Sequence, residues 1–156
     1  MITIIEGADG SGKSTLCEQL IERGYTLITF KEIENVEEWL YSLSIFNNTN
    51  VIVDRSFISD IVYRLWDNKP RRGMNLHTMC LILSQVKIVH CESGTEYNDS
   101  MQRGETLVTE KIHSDTIKAY YNIIMNLFDK FLGAKICKYN WHEDDINKVI
   151  KFIEEA

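Results

Sequence analysis

Gly7-Ala8-Asp9-Gly10-Ser11-Gly12-Lys13-Ser14-Thr15 lies between the strand-like run Ile2-Thr3-Ile4-Ile5 and a segment carrying Leu16, Cys17, Leu20 and Ile21 at helical spacing. The pattern G-x-x-x-x-G-K-[ST] in that setting has a mechanical reading. Its glycines let the backbone curl until successive N–H groups point at phosphate oxygens. The helix that follows adds its N-terminal dipole and unpaired N–H groups. Gly7, Asp9, Gly10, Ser11, Gly12, Lys13, Ser14 and Thr15 are therefore the expected phosphate loop for ATP. Lys13 is expected on the β- and γ-phosphates, and the Ser14 hydroxyl on Mg2+.

Outward from the loop, five β-branched runs alternate with helical patterns: Ile2–Glu6, Thr26–Phe30, Asn50–Asp54, Val86–Cys91 and Ala134–Tyr139. The first helical stripe ends at Gly24, a plausible C′ glycine. Val36, Trp39, Leu40 and Leu43 follow a cap at Asn35, with Glu38 at the capping-box position. Ile117, Tyr120, Tyr121, Ile124, Phe128 and Phe131 form the longest stripe. Ile146, Val149, Ile150 and Ile153 form the last, after an Asn140/Glu143 capping pair. Near-continuous apolar strands alternating with amphipathic helices predict a doubly wound α/β fold. Its five-stranded parallel sheet carries helices on both faces and binds ligands at the strands' carboxyl ends.

The totals fit one domain spanning 1–156. Hydrophobic residues make up 44% and charged residues 26%, as in ordinary globular proteins. Cys17, Cys80, Cys91 and Cys137 have neither C-x-x-C nor metal-ligand spacing and read as small hydrophobes in a reducing compartment. The first strand begins at once without a basic leader, and no apolar run reaches a membrane span, so a cytoplasmic location is expected with no membrane partner. A net charge of −6 argues against broad nucleic-acid binding, which needs a basic face.

Val51-Ile52-Val53-Asp54 is an apolar strand ending in a carboxylate. At the sheet's carboxyl edge Asp54 is expected to hold the magnesium shell, and Arg55 to clamp a phosphate or offset developing charge.

Ile5 to Thr15 resembles the phosphate loop of thymidylate kinases, which reads glutamate-glycine, aspartate-glycine, then glycine-lysine. Asp54-Arg55-Ser56-Phe57-Ile58-Ser59-Asp60-Ile61-Val62-Tyr63 is similar to that family's D-R-Y-x-x-S-x-x-A-Y motif, with Ser56 and Val62 departing from it. Ser56 instead fits the E/D-R-S of deoxynucleoside kinases. The thymidylate kinase R-E-P-G element is missing. Glu34-Asn35-Val36-Glu37-Glu38-Trp39 resembles the E-P-V-x-x-W element of deoxynucleoside kinases, with asparagine in place of proline.

That likeness implies that Glu34 is a general base for a sugar 5′-hydroxyl; a helix cap with packing residues explains the same segment. It also implies a lid over 92–111, in which Met101-Gln102-Arg103-Gly104-Glu105 is similar to a thymidylate kinase lid and supplies Arg103 as a catalytic residue. Asp9 would face the acceptor sugar, with Phe57 and Tyr63 near its base. Arg64 would meet an acceptor phosphate, while Arg71 and Arg72 read as a solvated turn. Asn140-Trp141-His142 would be the adenine edge. Related kinases are often dimers, which implies a homodimer by analogy.

Three activities stay open. The leading one is transfer of the ATP γ-phosphoryl to a deoxynucleoside monophosphate, thymidylate first. Deoxynucleoside phosphorylation is the alternative within enzymes, and a nucleotide-binding regulator without turnover is the alternative outside them. The chain is short for either kinase family, so a trimmed acceptor site opening onto a larger substrate is also conceivable.

Overall fold

The computed structural model of the chain describes residues 1–29, 45, 50–70, 75–104 and 108–155. Five strands, β1 (Ile2–Gly7), β2 (Thr26–Thr29), β3 (Val51–Asp54), β4 (Val86–Cys91) and β5 (Lys135–Tyr139), form one sheet in the order β2-β3-β1-β4-β5. All four pairings are parallel. Every strand expected from the sequence is present, with ends differing by at most one residue.

The described helices are α1 (Lys13–Glu22), α2 (Phe57–Trp66), α3 (Leu76–Leu83), α4 (Glu96–Gln102), α5 (Lys111–Leu132) and α6 (Ile146–Glu154). Side chains alternate across a strand, so adjacent β1 residues enter different cores. Ile4 packs with Phe57, Ile58, Val62, Ile82, Ile117 and Phe128, from α2, α3 and α5. Ile5 packs with Leu16, Cys17, Leu20 and Val149, from α1 and α6. Both isoleucines are fully buried, each contributing about 2 kcal/mol relative to exposure. The sheet is covered on both faces, as predicted.

β1 is central. The chain leaves it for β2 at one edge, returns to β3 beside it, and then crosses to β4 and β5 on the other side. The switch in direction leaves a crevice at the carboxyl end of β1, where the phosphate loop begins.

Local expectations were met unevenly. Gly24 ends α1 at φ 94, donating to the Ile21 carbonyl at 3.0 Å. The Asn140/Glu143 pair does not cap α6. Asp145 does, accepting from the Asn147 N–H at 2.7 Å, and the Asn140 side chain closes the preceding turn onto the His142 N–H at 3.0 Å. A shorter, later helix leaves that turn free to face the loop. The periodic stripes gave no sign of α3 or α4. Asn35, Glu38 and the stripe from Val36 to Leu43 lie outside the described residues.

Candidate functional site

Arg55 enters the crevice because its N–H donates to the Ile5 carbonyl at 3.0 Å, extending the β1–β3 ladder one step past the strand end. Its φ is 67, in the left-handed region that non-glycine residues avoid. Ser56 then caps α2 by accepting from the Ile58 N–H at 3.1 Å. This sharp exit turns the guanidinium toward the phosphate loop.

There Arg55 Nη2 donates to Asp9 Oδ1 at 2.6 Å, while Nη1 donates to the Ser59 hydroxyl at 3.2 Å and the Tyr121 hydroxyl at 3.4 Å. The Tyr63 ring lies 5.3 Å from the guanidinium carbon. Burial opposes the charge of Arg55, but Tyr121, Tyr63, Asp9 and Glu6 outweigh it and raise its pKa further above the ordinary value. Arg55 stays a cation.

Lys13 opens α1 and donates to Asp54 Oδ1 at 2.6 Å. Lys13 and Arg55 thus each have their own carboxylate. An incoming polyphosphate would compete with Asp54 for Lys13 and with Asp9 for Arg55. Freed of Lys13, Asp54 would be available to a divalent cation.

The loop itself tolerates only glycine at two positions. A Cβ on Gly10 would stand 2.0 Å from the Glu96 carbonyl oxygen, and one on Gly12 would stand 2.3 Å from Cδ1 of Trp141. Both glycines have positive φ, 79 and 86. Among the described residues the buried Ser11 hydroxyl has no hydrogen-bond partner. An orphaned donor inside a glycine cradle fits an anion whose oxygens would satisfy it. Ser14 and Asp54 offer a hydroxyl and a carboxylate, hard oxygens that suit magnesium. Among the described residues no three His, Cys, Asp or Glu side chains cluster as a metal cage. That donor set fits an ion shared with phosphates.

Arg103, at the end of α4, donates to the Thr15 hydroxyl at 3.2 Å and borders the same opening as Lys13 and Ser14. The expected lid segment contains α4, whose backbone lies directly against Gly10. Glu96 anchors that helix. It is 1% exposed, accepts from the N–H groups of Ser93 and Gly94, and pairs with Lys118 of α5 at 3.1 Å. A second, small cleft lies beside Asp9, between Tyr63 of α2, Tyr97 and Ser100 of α4, and Ser114 and Ile117 of α5.

Several expected residues do other work. Phe57 is 2% exposed in the core, its ring 6.1 Å from Phe128, so it lines no base site. Arg64 is held by Asp60 at 3.1 Å and by the Pro70 carbonyl at 3.0 Å. Trp141 packs on Gly12, and the neighbouring His142 ring meets the Thr95 hydroxyl at 2.9 Å. Glu34, Arg71, Arg72 and Glu105 lie outside the described residues.

Glu6, Ser59 and Tyr121 join the site through contacts that sequence periodicity did not reveal. The Glu6 carboxylate is wholly buried and accepts from the hydroxyls of Ser56, Ser59 and Tyr121 and from the Ser59 N–H. Burial pushes its pKa up, and hydrogen bonds from Ser56 and Ser59 offset only part of the rise. An acidic residue closing an otherwise apolar, two-sided strand was the available signal. Beside it, buried His90 stacks on Tyr121 with ring centres 5.9 Å apart, and burial lowers its pKa.

No protein-family model matches the chain, and no curated protein matches it in sequence. Solved structures do match in shape. The YorR protein from Bacillus subtilis, solved in complex with phosphorylated GDP, is 20% identical with a TM-score of 0.71, covering 98% of this chain and 93% of its own. Deoxyadenosine kinase from M. mycoides, solved with bound dATP, is 17% identical with a TM-score of 0.60 over 98% and 97% of the two chains. Thymidylate kinase from Ehrlichia chaffeensis is 17% identical with a TM-score of 0.55 over 99% and 98%. With its parallel sheet and the loop after β1, the chain has the fold of the P-loop nucleotide and deoxynucleoside kinases.

Proposed function

We propose that the chain is an ATP-dependent nucleotide kinase, and that its acceptor is a deoxynucleoside monophosphate of the thymidylate kind. The observation that carries this reading is the position of Arg55. It bridges the phosphate loop, through Asp9, to the cleft beside Tyr63. A cation there can hold an acceptor phosphate and face the phosphoryl group in transit.

In the reaction, an acceptor phosphate oxygen forms a bond to the γ-phosphorus while the bond from that phosphorus to the β,γ-bridging oxygen breaks, leaving ADP. The acceptor oxygen is already ionised, so no strong base is required. Loop N–H groups and Lys13 hold the donor, Arg55 offsets charge on the transferred group, and Arg103 covers the opening from α4. Ser14 and Asp54 would hold magnesium, which when bound neutralises donor charge. Positioning and electrostatics do most of the catalysis.

A deoxynucleoside acceptor is the second reading, favoured by Asp54-Arg55-Ser56 and by the Glu34 segment. A nucleoside hydroxyl must lose a proton, so Glu34 separates the two. ADP release should be measured with a panel of nucleosides and monophosphates, for the parent chain and for Glu34→Gln. Release with a deoxynucleoside monophosphate, retained in Glu34→Gln, is the expected result. Release only with nucleosides, lost in Glu34→Gln, would establish the second reading. No acceptor-dependent release would overturn both and favour a nucleotide-binding regulator or a larger substrate.

The homodimer implied by the resemblance belongs to the same proposal, and light scattering tests it; a monomer mass would remove it.

A further inference from the structure

Glu6 has no solvent exposure at all. A buried carboxylate persists only where donors replace its water, and Glu6 has four. Two of them, the Ser56 hydroxyl and the Ser59 N–H, belong to the first turn of α2 and would suffice to tie that turn to β1. The Ser59 and Tyr121 hydroxyls reach further.

Each hydroxyl has one proton to give. Ser59 Oγ lies 2.5 Å from Glu6 Oε2, and the Tyr121 oxygen lies 3.3 Å from the same atom and 2.8 Å from Ser59 Oγ. Both protons are therefore spent on Glu6 or within the pair, and only lone pairs face outward. Those lone pairs meet Arg55 Nη1 at 3.2 and 3.4 Å. Remove the carboxylate, and either hydroxyl can turn its proton toward the guanidinium and repel it. Asp9 holds only the other terminal nitrogen.

We infer that Glu6 is a positioning residue: through the Ser59 and Tyr121 hydroxyls it fixes the Arg55 guanidinium between Asp9 and the phosphate loop. The catalytic consequence rests on the kinase reading above; the orientation of Arg55 does not.

The test therefore has two arms on the full chain. In the first, 15N NMR follows rotation of the Arg55 guanidinium, its signals assigned by their loss in Arg55→Lys. Glu6→Gln should speed that rotation about tenfold, since one terminal nitrogen loses its fixed acceptors. In the second, Glu6→Gln should lower kcat about tenfold with the KM for ATP within about twofold of the parent. Placed on Ser59→Ala/Tyr121→Phe, it should lower kcat by less than about twofold more, because the path it acts through is already cut.

Unchanged Arg55 rotation in Glu6→Gln, or a kcat loss that adds in full to the double variant, would overturn the inference. If Glu6→Gln does not fold, Ser59→Ala takes its place in the NMR arm, where unchanged rotation again overturns it. A chain that phosphorylates nothing in the panel but shows the faster rotation would sink the kinase reading and leave the role of Glu6 standing.

Discussion

Lys13 and Asp54, from the start of α1 and the end of β3, meet at 2.6 Å across the mouth of the phosphate loop. The pairing occupies the loop's lysine with a carboxylate of the protein itself. It also makes phosphate binding an exchange of one anion for another. Lys13→Ala should lower turnover on the order of 100-fold or more, because it removes the cation that α1 itself presents at the loop. The pair is partly exposed, with 9% and 23% of the two side chains accessible, so stability should fall by no more than about 1 kcal/mol. Initial rates and thermal melts on the same preparation check both; a large drop in melting temperature would contradict the second.

Arg55 combines a guanidinium aimed at the phosphate loop with a strained backbone at φ 67. Relief of such strain is worth about 1–3 kcal/mol. Arg55→Gly should therefore melt close to the parent despite losing its contacts, yet fall about 100-fold or more in turnover. Arg55→Lys keeps the strain and loses the fork that spans Asp9 and Ser59. It should be nearly as inactive and less stable. A lysine variant with half the parent activity would mean that charge alone is needed.

The two loop glycines should respond differently to a methyl group. At Gly10 the added carbon meets the Glu96 carbonyl at 2.0 Å, which is backbone. Gly10→Ala should cost ATP affinity and stability together, with no side-chain truncation restoring either. At Gly12 the obstacle is the Trp141 ring at 2.3 Å. Trp141→Ala should recover part of the stability lost in Gly12→Ala, leaving about 1–2 kcal/mol of left-handed strain. Thermal melts with and without ATP separate the cases, and equal recovery at both positions would contradict the assignment.

Glu6 carries a pH signature. Burial raises its pKa, so the folded chain holds that proton more tightly than the unfolded chain does. The favourable proton binding is fully present below the unfolded value and is lost as pH rises through the higher folded value. Glu6→Gln cannot lose it. The melting temperature of Glu6→Gln relative to the parent should therefore rise as pH increases from the ordinary carboxylate range toward neutrality. A difference that stays flat or falls with pH would show that the four donors, not burial, dominate.

The strands, the first helix and the phosphate loop were legible because each is a local pattern. β-branched runs, a glycine-lysine turn and a helical stripe need no distant partner to be recognised. The place of Asp54 and Arg55 at the sheet edge was legible because they close an apolar strand of the sheet. Phe57 and Tyr63 show the limit. They lie on the same helix, yet one packs against Phe128 in the core and the other lies under Arg55.

The sequence by itself determined the parallel sheet, the loop after β1 and the cation at the end of β3. Only the tertiary structure decided which carboxylate neutralises Lys13, that α4 leans its backbone on Gly10, and that Glu6 reaches Tyr121. The physical reason is one of range. Periodicity specifies which face of an element is buried, whereas a hydrogen bond to a residue 115 positions away depends on how α5 seats against the sheet. That seating fixed the surroundings of Arg55, a cation on a left-handed backbone.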